Sequence, residues 1–235
     1  MRILITGANR GLGYEFVKQY LDRGDEVIAA ARDPKNAETL ETLEQKHDNF
    51  LALYQLDVKD MKSIQAMREN VERRFESLDL LINNAAIISG GSNRTYPFGE
   101  LHSENIAEVF KVNTIGPLMM AEEFAELLSR GESAKIINIT SKMGSIGSRT
   151  GASYYSYCAS KAALNMFSRL LSFELKERDI IVLALHPGHV KTDMGGSAAP
   201  LMPEESIRGM ISVIDSITEG DSGKFFDWEG GVIPW

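Results

Sequence analysis

Tyr157 and Lys161 stand four residues apart in Tyr157-Cys158-Ala159-Ser160-Lys161. That is about one helical turn, so the phenol and the ammonium share a helix face. A cation beside a phenol favours phenolate and lowers its pKa from about 10. A phenol tuned in this way gives a proton to a carbonyl oxygen or takes one from an alcohol. Tyr154 and Tyr155 are followed at the same spacing by Cys158 and Ala159, so only Tyr157 has the lysine. A second chemistry begins at Thr6-Gly7-Ala8-Asn9-Arg10-Gly11-Leu12-Gly13, directly after an apolar run at 3–5. Gly7 turns sharply, Gly11 lets the backbone approach a pyrophosphate, and Gly13 lets a helix pack close on the strand. The helix that follows offers free N–H groups to phosphates. A purely structural tight turn would also account for the glycines; their place after a first strand favours a nucleotide.

Cofactor choice is read at the end of the second strand, Ala29-Ala30-Ala31-Arg32-Asp33. An acid there would bond the ribose 2′-hydroxyl of NAD, whereas Arg32 suits a 2′-phosphate. Arg10 supplies a second charge. NADP(H) is therefore expected over NAD(H), which is the outcome if Asp33 rather than Arg32 faces the ribose. Asp57, in Leu56-Asp57-Val58, is a candidate acceptor for the adenine amino group; an Asp after a strand is also a common turn residue.

These residues need a frame. Short apolar runs at 3–5, 27–31, 51–53, 80–82, 136–139, 180–185 and, more weakly, 224–226 read as strands buried on both faces. Amphipathic stretches at 12–23, 36–47, 61–76, 103–129, 154–177 and 204–218 read as helices. The alternation predicts an α/β fold, one doubly wound Rossmann-type domain over 1–235. It has a mostly parallel sheet of about seven strands with helices on both faces. Two long loops, at 85–99 and 186–203, follow strands and belong at the carboxyl edge where such sheets bind ligands. The first contains Gly90-Gly91-Ser92-Asn93.

Acids outnumber bases by 33 to 25, for a net charge of −8, and no basic block argues for nucleic acid or an anionic membrane. Cys158 is the one cysteine, so no internal disulfide forms. The four histidines lack metal-ligand spacing, and no metal is expected. The first strand begins at residue 3 and no apolar run is long enough to span a bilayer, so a cytoplasmic protein is expected. Met143, Met194 and Met202 fall in the site loops and suit an adaptable apolar substrate wall.

Six ordered motifs resemble the short-chain dehydrogenase/reductase family: Thr6–Gly13, Asn83-Asn84-Ala85-Ala86, Asn113, Ser141, Tyr157 with Lys161, and Pro187-Gly188-His189-Val190-Lys191-Thr192. Ala86 departs from the family's glycine. The ending 226–235, FDWEGGVIPW, resembles more narrowly the sniffer and C-factor group of carbonyl reductases. The resemblance implies an NADPH-dependent reductase of aldehydes or ketones, reversible to alcohol oxidation. It implies Asn113, Ser141, Tyr157 and Lys161 as catalytic residues. Tyr157 would be the general acid and base, Lys161 its helper and ribose contact, Ser141 the holder of the substrate oxygen, and Asn113 the anchor of a proton path. It further implies that Gly7, Asn9, Arg10, Gly11, Leu12, Gly13, Arg32, Asp57, Val58, Asn84, Ala85, Ala86, Tyr157, Lys161, Pro187, Gly188, Val190 and Thr192 bind the cofactor. A homodimer or homotetramer through the helices flanking strand five is implied as well. The rival from another class is a catalytically weak NADP(H)-binding regulatory or signalling protein of C-factor type. A nucleotide-sugar epimerase is a weaker third, because only 74 residues (235 − 161) follow Lys161.

Overall fold

The computed structural model describes residues 1–34, 37–47, 49–89 and 96–235. The expected helix start at Asn36 and the Gly90–Asn93 stretch lie outside them. Seven strands are described: β1 (Arg2–Thr6), β2 (Glu26–Ala31), β3 (Leu51–Gln55), β4 (Leu80–Asn83), β5 (Lys135–Ile139), β6 (Ile181–His186) and β7 (Phe225–Asp227). They form one sheet in the order β3-β2-β1-β4-β5-β6-β7. All six adjacent pairs are parallel. Strand order reverses between β1 and β4, the switch point where an open parallel sheet leaves a crevice at its carboxyl edge.

The helices are α1 (Gly11–Arg23), α2 (Glu38–Lys46), α3 (Met61–Arg74), α4 (Ser103–Phe110), α5 (Gly116–Ser129), α6 (Tyr155–Glu174) and α7 (Pro203–Ser216). They cover both faces. Ile3, Ile5, Val27 and Ala29 pack with Phe16 of α1 and Met210 of α7. The alternate residues Leu4, Ile28 and Ala30 pack with Met67 of α3 and Phe124 of α5. This two-sided burial explains why the strands read as continuous apolar runs; each large aliphatic side chain removed from water contributes about 1.5–3 kcal/mol.

One expected helix differs. The stretch 103–129 is interrupted by a π turn at Lys111–Ile115, where Gly116 N–H bonds back to Lys111 C=O. The physical cause is in the sequence. Pro117 stands four residues after Asn113 and has no N–H to give the Asn113 carbonyl. Among the described residues no helix is long and apolar enough to cross a membrane.

Candidate active site

The glycine turn is built by close backbone approaches. A Cβ on Gly13 would stand 2.1 Å from Gly7 O, and one on Gly7 would stand 2.9 Å from Ala85 Cα. Gly7 and Gly11 both have positive φ, 65° and 54°, which glycine adopts without strain. Thr6 locks the turn to β4: its Oγ1 accepts from Asn84 N at 3.0 Å and Ala85 N at 3.1 Å. Asn84 Nδ2 donates in return to Thr6 O at 2.9 Å. Arg10 sits at the N-cap of α1 in extended backbone, its side chain caps nothing, and no acid occupies the first turn. The helix therefore keeps unspent N–H groups and an unopposed positive end, as an anionic pyrophosphate requires.

A cleft of about 1300 Å³ runs from this turn to Tyr157 and Lys161. Its walls include Gly7, Asn9, Arg10, Gly11, Leu12, Arg32, Asp57, Val58, Asn84, Ala85, Ala86, Tyr157, Lys161, Pro187 and Thr192. β2 ends at Ala31, so Arg32 is the first residue past the strand, and it is Arg32 rather than Asp33 that lines the cleft. Asp57 lines it while its Oδ1 also accepts from Lys59 N at 3.2 Å, so it is a turn residue and a wall residue at once. Three expected contacts do not line the wall. Gly13 lies beneath the turn, spent on packing. Val190 is buried and bridges to Leu201. Gly188, at φ 84°, backs onto Leu201 and Trp228. The last two act as supports for Pro187 and Thr192. Arg10, expected beside a 2′-phosphate, meets Asp193 at 2.9 Å across the mouth, both side chains well exposed.

The other end is made of buried polar side chains. Ser141 follows β5 and its Oγ accepts from Met143 N at 3.1 Å. Asn113, at the π turn, is fully buried and clamps both main-chain groups of Ile87, through Oδ1 and Nδ2, each at 2.8 Å. Its Nδ2 also reaches Ser160 Oγ at 3.1 Å. Ser160 Oγ donates to Tyr157 O at 2.8 Å. Neither Asn113 nor Ser141 lines the cleft; they hold what does. Lys161 Nζ donates to Ile139 O at 2.8 Å and lies 5.8 Å from the centre of the Tyr157 ring.

The electrostatics reverse the expectation from spacing. Burial raises the Tyr157 phenol to about 12, against a hydrogen bond with Ser141 that pulls it down. Burial alone lowers Lys161 to about 7. Desolvation disfavours both charges, so at neutral pH the phenol keeps its proton and the lysine is poised to titrate. Sequence spacing put the pair on one helix face; it could not report how dry that face is.

Several site residues were not foreseen. Ile87, Ile88 and Ser89 line the cleft from the loop after β4, as do Lys59 and Glu108, which pair at 2.7 Å. Loop length was the available signal for the first three. Tyr154 also lines the cleft, as does Met194, which was expected there; Met143 and Met202, expected with it, do not. Tyr154, at φ 52°, is a strained position immediately before α6.

The short chain dehydrogenase family profile matches residues 1–201. An NADPH-bound carbonyl reductase from chicken fatty liver is 39% identical, superimposes with a TM-score of 0.93, and is covered over 98% of its length by the whole of this chain. The carbonyl reductase Sniffer of D. melanogaster is 31% identical with a TM-score of 0.93, covering 100% of this chain and 99% of that one. C-signal of Myxococcus xanthus is 39% identical over 158 residues, 67% of this chain and 93% of that protein.

Proposed function

The chain belongs to the short chain dehydrogenase family, and from that premise we propose that it is an NADPH-dependent reductase of aldehydes or ketones. The observation that carries the reading is one continuous cleft with an anion-accepting turn at one end and Tyr157 with Lys161 at the other. The reduced nicotinamide, when bound, supplies the hydride. The pyrophosphate would rest on the N–H groups of α1, and the 2′-phosphate on Arg32 and Arg10. Tyr157, held protonated, donates its phenolic proton to the carbonyl oxygen. Ser141, hydrogen-bonded to the phenol while its Oγ accepts Met143 N–H, orients that proton donor from behind the wall. Lys161 titrates close enough to neutrality to return a proton to the phenol, and binds the nicotinamide ribose. The Asn113 carbonyl, lacking a helical donor at Pro117, suits a water that connects Lys161 to solvent. A raised phenol favours reduction over oxidation at neutral pH.

Substrate class follows the wall. Tyr154 and Met194 line the cleft, while Tyr155, Phe98 and Met202 are exposed apolar side chains. Phe98 and Tyr155 meet with ring centroids 6.3 Å apart. Apolar and aromatic carbonyls are favoured. The chicken and fly proteins are named as carbonyl reductases, which supports the same class. The chain is also proposed to self-associate as a dimer or tetramer. Met166, Leu170 and Phe173 lie exposed along α6 at helical spacing, with Ile115 exposed on the π turn. Light scattering that finds monomer alone would remove this.

Identity to C-signal supports a second reading, a cofactor-bound signalling protein. A paired titration with NADPH and NADH, then NADPH oxidation over a carbonyl panel, separates the two. Turnover with NADPH preference is expected. NADPH binding without turnover would give the function to signalling, and NADH preference would overturn the role of Arg32.

A further inference from the structure

The 226–235 ending that resembles the sniffer and C-factor group has no part in the reaction as described. Its geometry points to one. We propose that residues 225–235 are a brace that positions both loops flanking Tyr157, the one after Ser141 and the one after His186.

The segment is built to double back. After β7, Asp227 N donates to Gly231 O at 2.8 Å. Asp227 Oδ1 accepts from Glu229 N at 3.0 Å and Gly231 N at 2.8 Å. Gly230 takes φ 88° in this turn. Phe226 then pairs antiparallel with Val232, and Ile233 N returns to Phe225 O at 2.8 Å. The turn sends Pro234 and Trp235 over the 145–148 loop.

The first arm ends there. Ser145, fully buried, donates its hydroxyl to Pro234 O at 2.5 Å. Gly147 N donates to Trp235 O at 3.1 Å. The Trp235 ring stacks on Phe225 at 5.5 Å. Ser145 is also the last link of the turn that begins at Ser141, with Gly144 N on Ser141 O at 2.8 Å and Ser145 N on Lys142 O at 3.0 Å. The second arm is Trp228. A Cβ on Gly188 would stand 3.1 Å from its Cδ1 and Nε1, and one on Gly209 would stand 2.6 Å from its Cε3. The indole is thus wedged between the turn after β6 and α7. Neither arm lines the cleft, so both act through Ser141 and Pro187 as positioning residues. Catalytic geometry tolerates about 0.5 Å of error, and loops hold that only when something outside the site fixes them.

This inference rests on the reductase reading, and its test is chosen to stand apart from it. Ser145→Ala removes the donor, Trp235→Ala removes the stacked ring, and Trp235→Phe keeps a ring. Hydrogen exchange over residues 141–148, kcat, KM and NADPH Kd are measured for each. For the two alanine variants, faster exchange in that stretch with α6 unaltered is expected. Their kcat should be lower by roughly 10- to 100-fold, with NADPH Kd within about twofold of wild type. Trp235→Phe should restore both readouts. Unchanged exchange overturns the brace, as does faster exchange with kcat and KM unaltered. A parallel fall of Tm, Kd and kcat that phenylalanine does not rescue would reduce the segment to general stability. A wild-type chain that reduces no carbonyl removes the reductase reading, and the exchange comparison alone then supports or overturns the brace.

Discussion

The two ends of the cleft are specified by different physics. At the proposed nucleotide end the backbone is the recognition element: Gly13 approaches Gly7, and Gly7 approaches Ala85, too closely for a side chain, and the charged groups at the rim are exposed. At the catalytic end the backbone is scaffold, and recognition lies in side chains taken out of water, with Asn113, Ser141, Tyr157 and Lys161 all buried. An exposed rim ion pair is screened by water and salt, whereas burial rewrites the protonation of the phenol and the ammonium. A substitution at the first end should therefore act on shape and affinity, and one at the second on proton transfer and on the pH dependence of stability.

Tyr157→Phe tests the division most strongly. It should remove turnover by roughly 10²- to 10⁴-fold while leaving NADPH affinity near wild type, because the ring stays and only the proton donor goes. Loss of NADPH binding in parallel would mean that the two ends are one unit.

Lys161→Met tests the buried end through stability. Its folded pKa, about 7, lies below the unfolded value of 10.5. The folded state thus binds fewer protons between these values, and stability rises with pH across that window. Below about pH 7 the full cost of burying the cation is present, on the order of 5 kcal/mol at most. The variant, which carries no such cost, should gain Tm over wild type most at pH 6 and least near pH 10, while turnover is lost. A Tm difference independent of pH would show that Lys161 keeps its charge without penalty.

Gly13→Ala tests the backbone end. Its methyl would meet Gly7 O at 2.1 Å and Asn84 Nδ2 at 2.6 Å. Overpacking of this kind costs about 1–3 kcal/mol or more, and the displaced turn should weaken NADPH binding along with Tm. A variant with wild-type Tm and Kd would show that the turn has slack the geometry denies.

The contrast also explains what the sequence made legible. Parallel strands buried on both faces announce themselves as apolar runs, so six strands and the seventh, weaker one were readable, and so was the glycine turn. Tyr157, Lys161, Ser141 and Asn113 were recognisable because residue type and order carry the resemblance. The π turn was in principle readable, since Pro117 stands four residues after Asn113, but helical periodicity alone runs straight through it. The direction of the Tyr157 shift was not readable. It depends on how completely the strand ends and the loop at 141–148 cover α6, and no local pattern encodes coverage. Gly188 and Val190 fell in the right motif yet sit behind the wall, because side-chain direction in an irregular loop has no period to read.

The smallest effect belongs to the rim. Arg10 pairs with Asp193 at 2.9 Å across the mouth, with side chains 64% and 81% exposed. An ion pair so open to solvent contributes about 0–1 kcal/mol and is screened by salt. A 2′-phosphate arriving at Arg10 would have to share that guanidinium with the carboxylate, whereas a 2′-hydroxyl would not. Asp193→Asn should therefore tighten NADPH by no more than about fivefold, leave NADH unchanged, and lose its effect at high salt. Arg32→Ala, which removes the second guanidinium lining the cleft at that end, should weaken NADPH alone. Equal changes for both cofactors in either variant would place the two charges outside cofactor discrimination and leave the nucleotide end as backbone shape only.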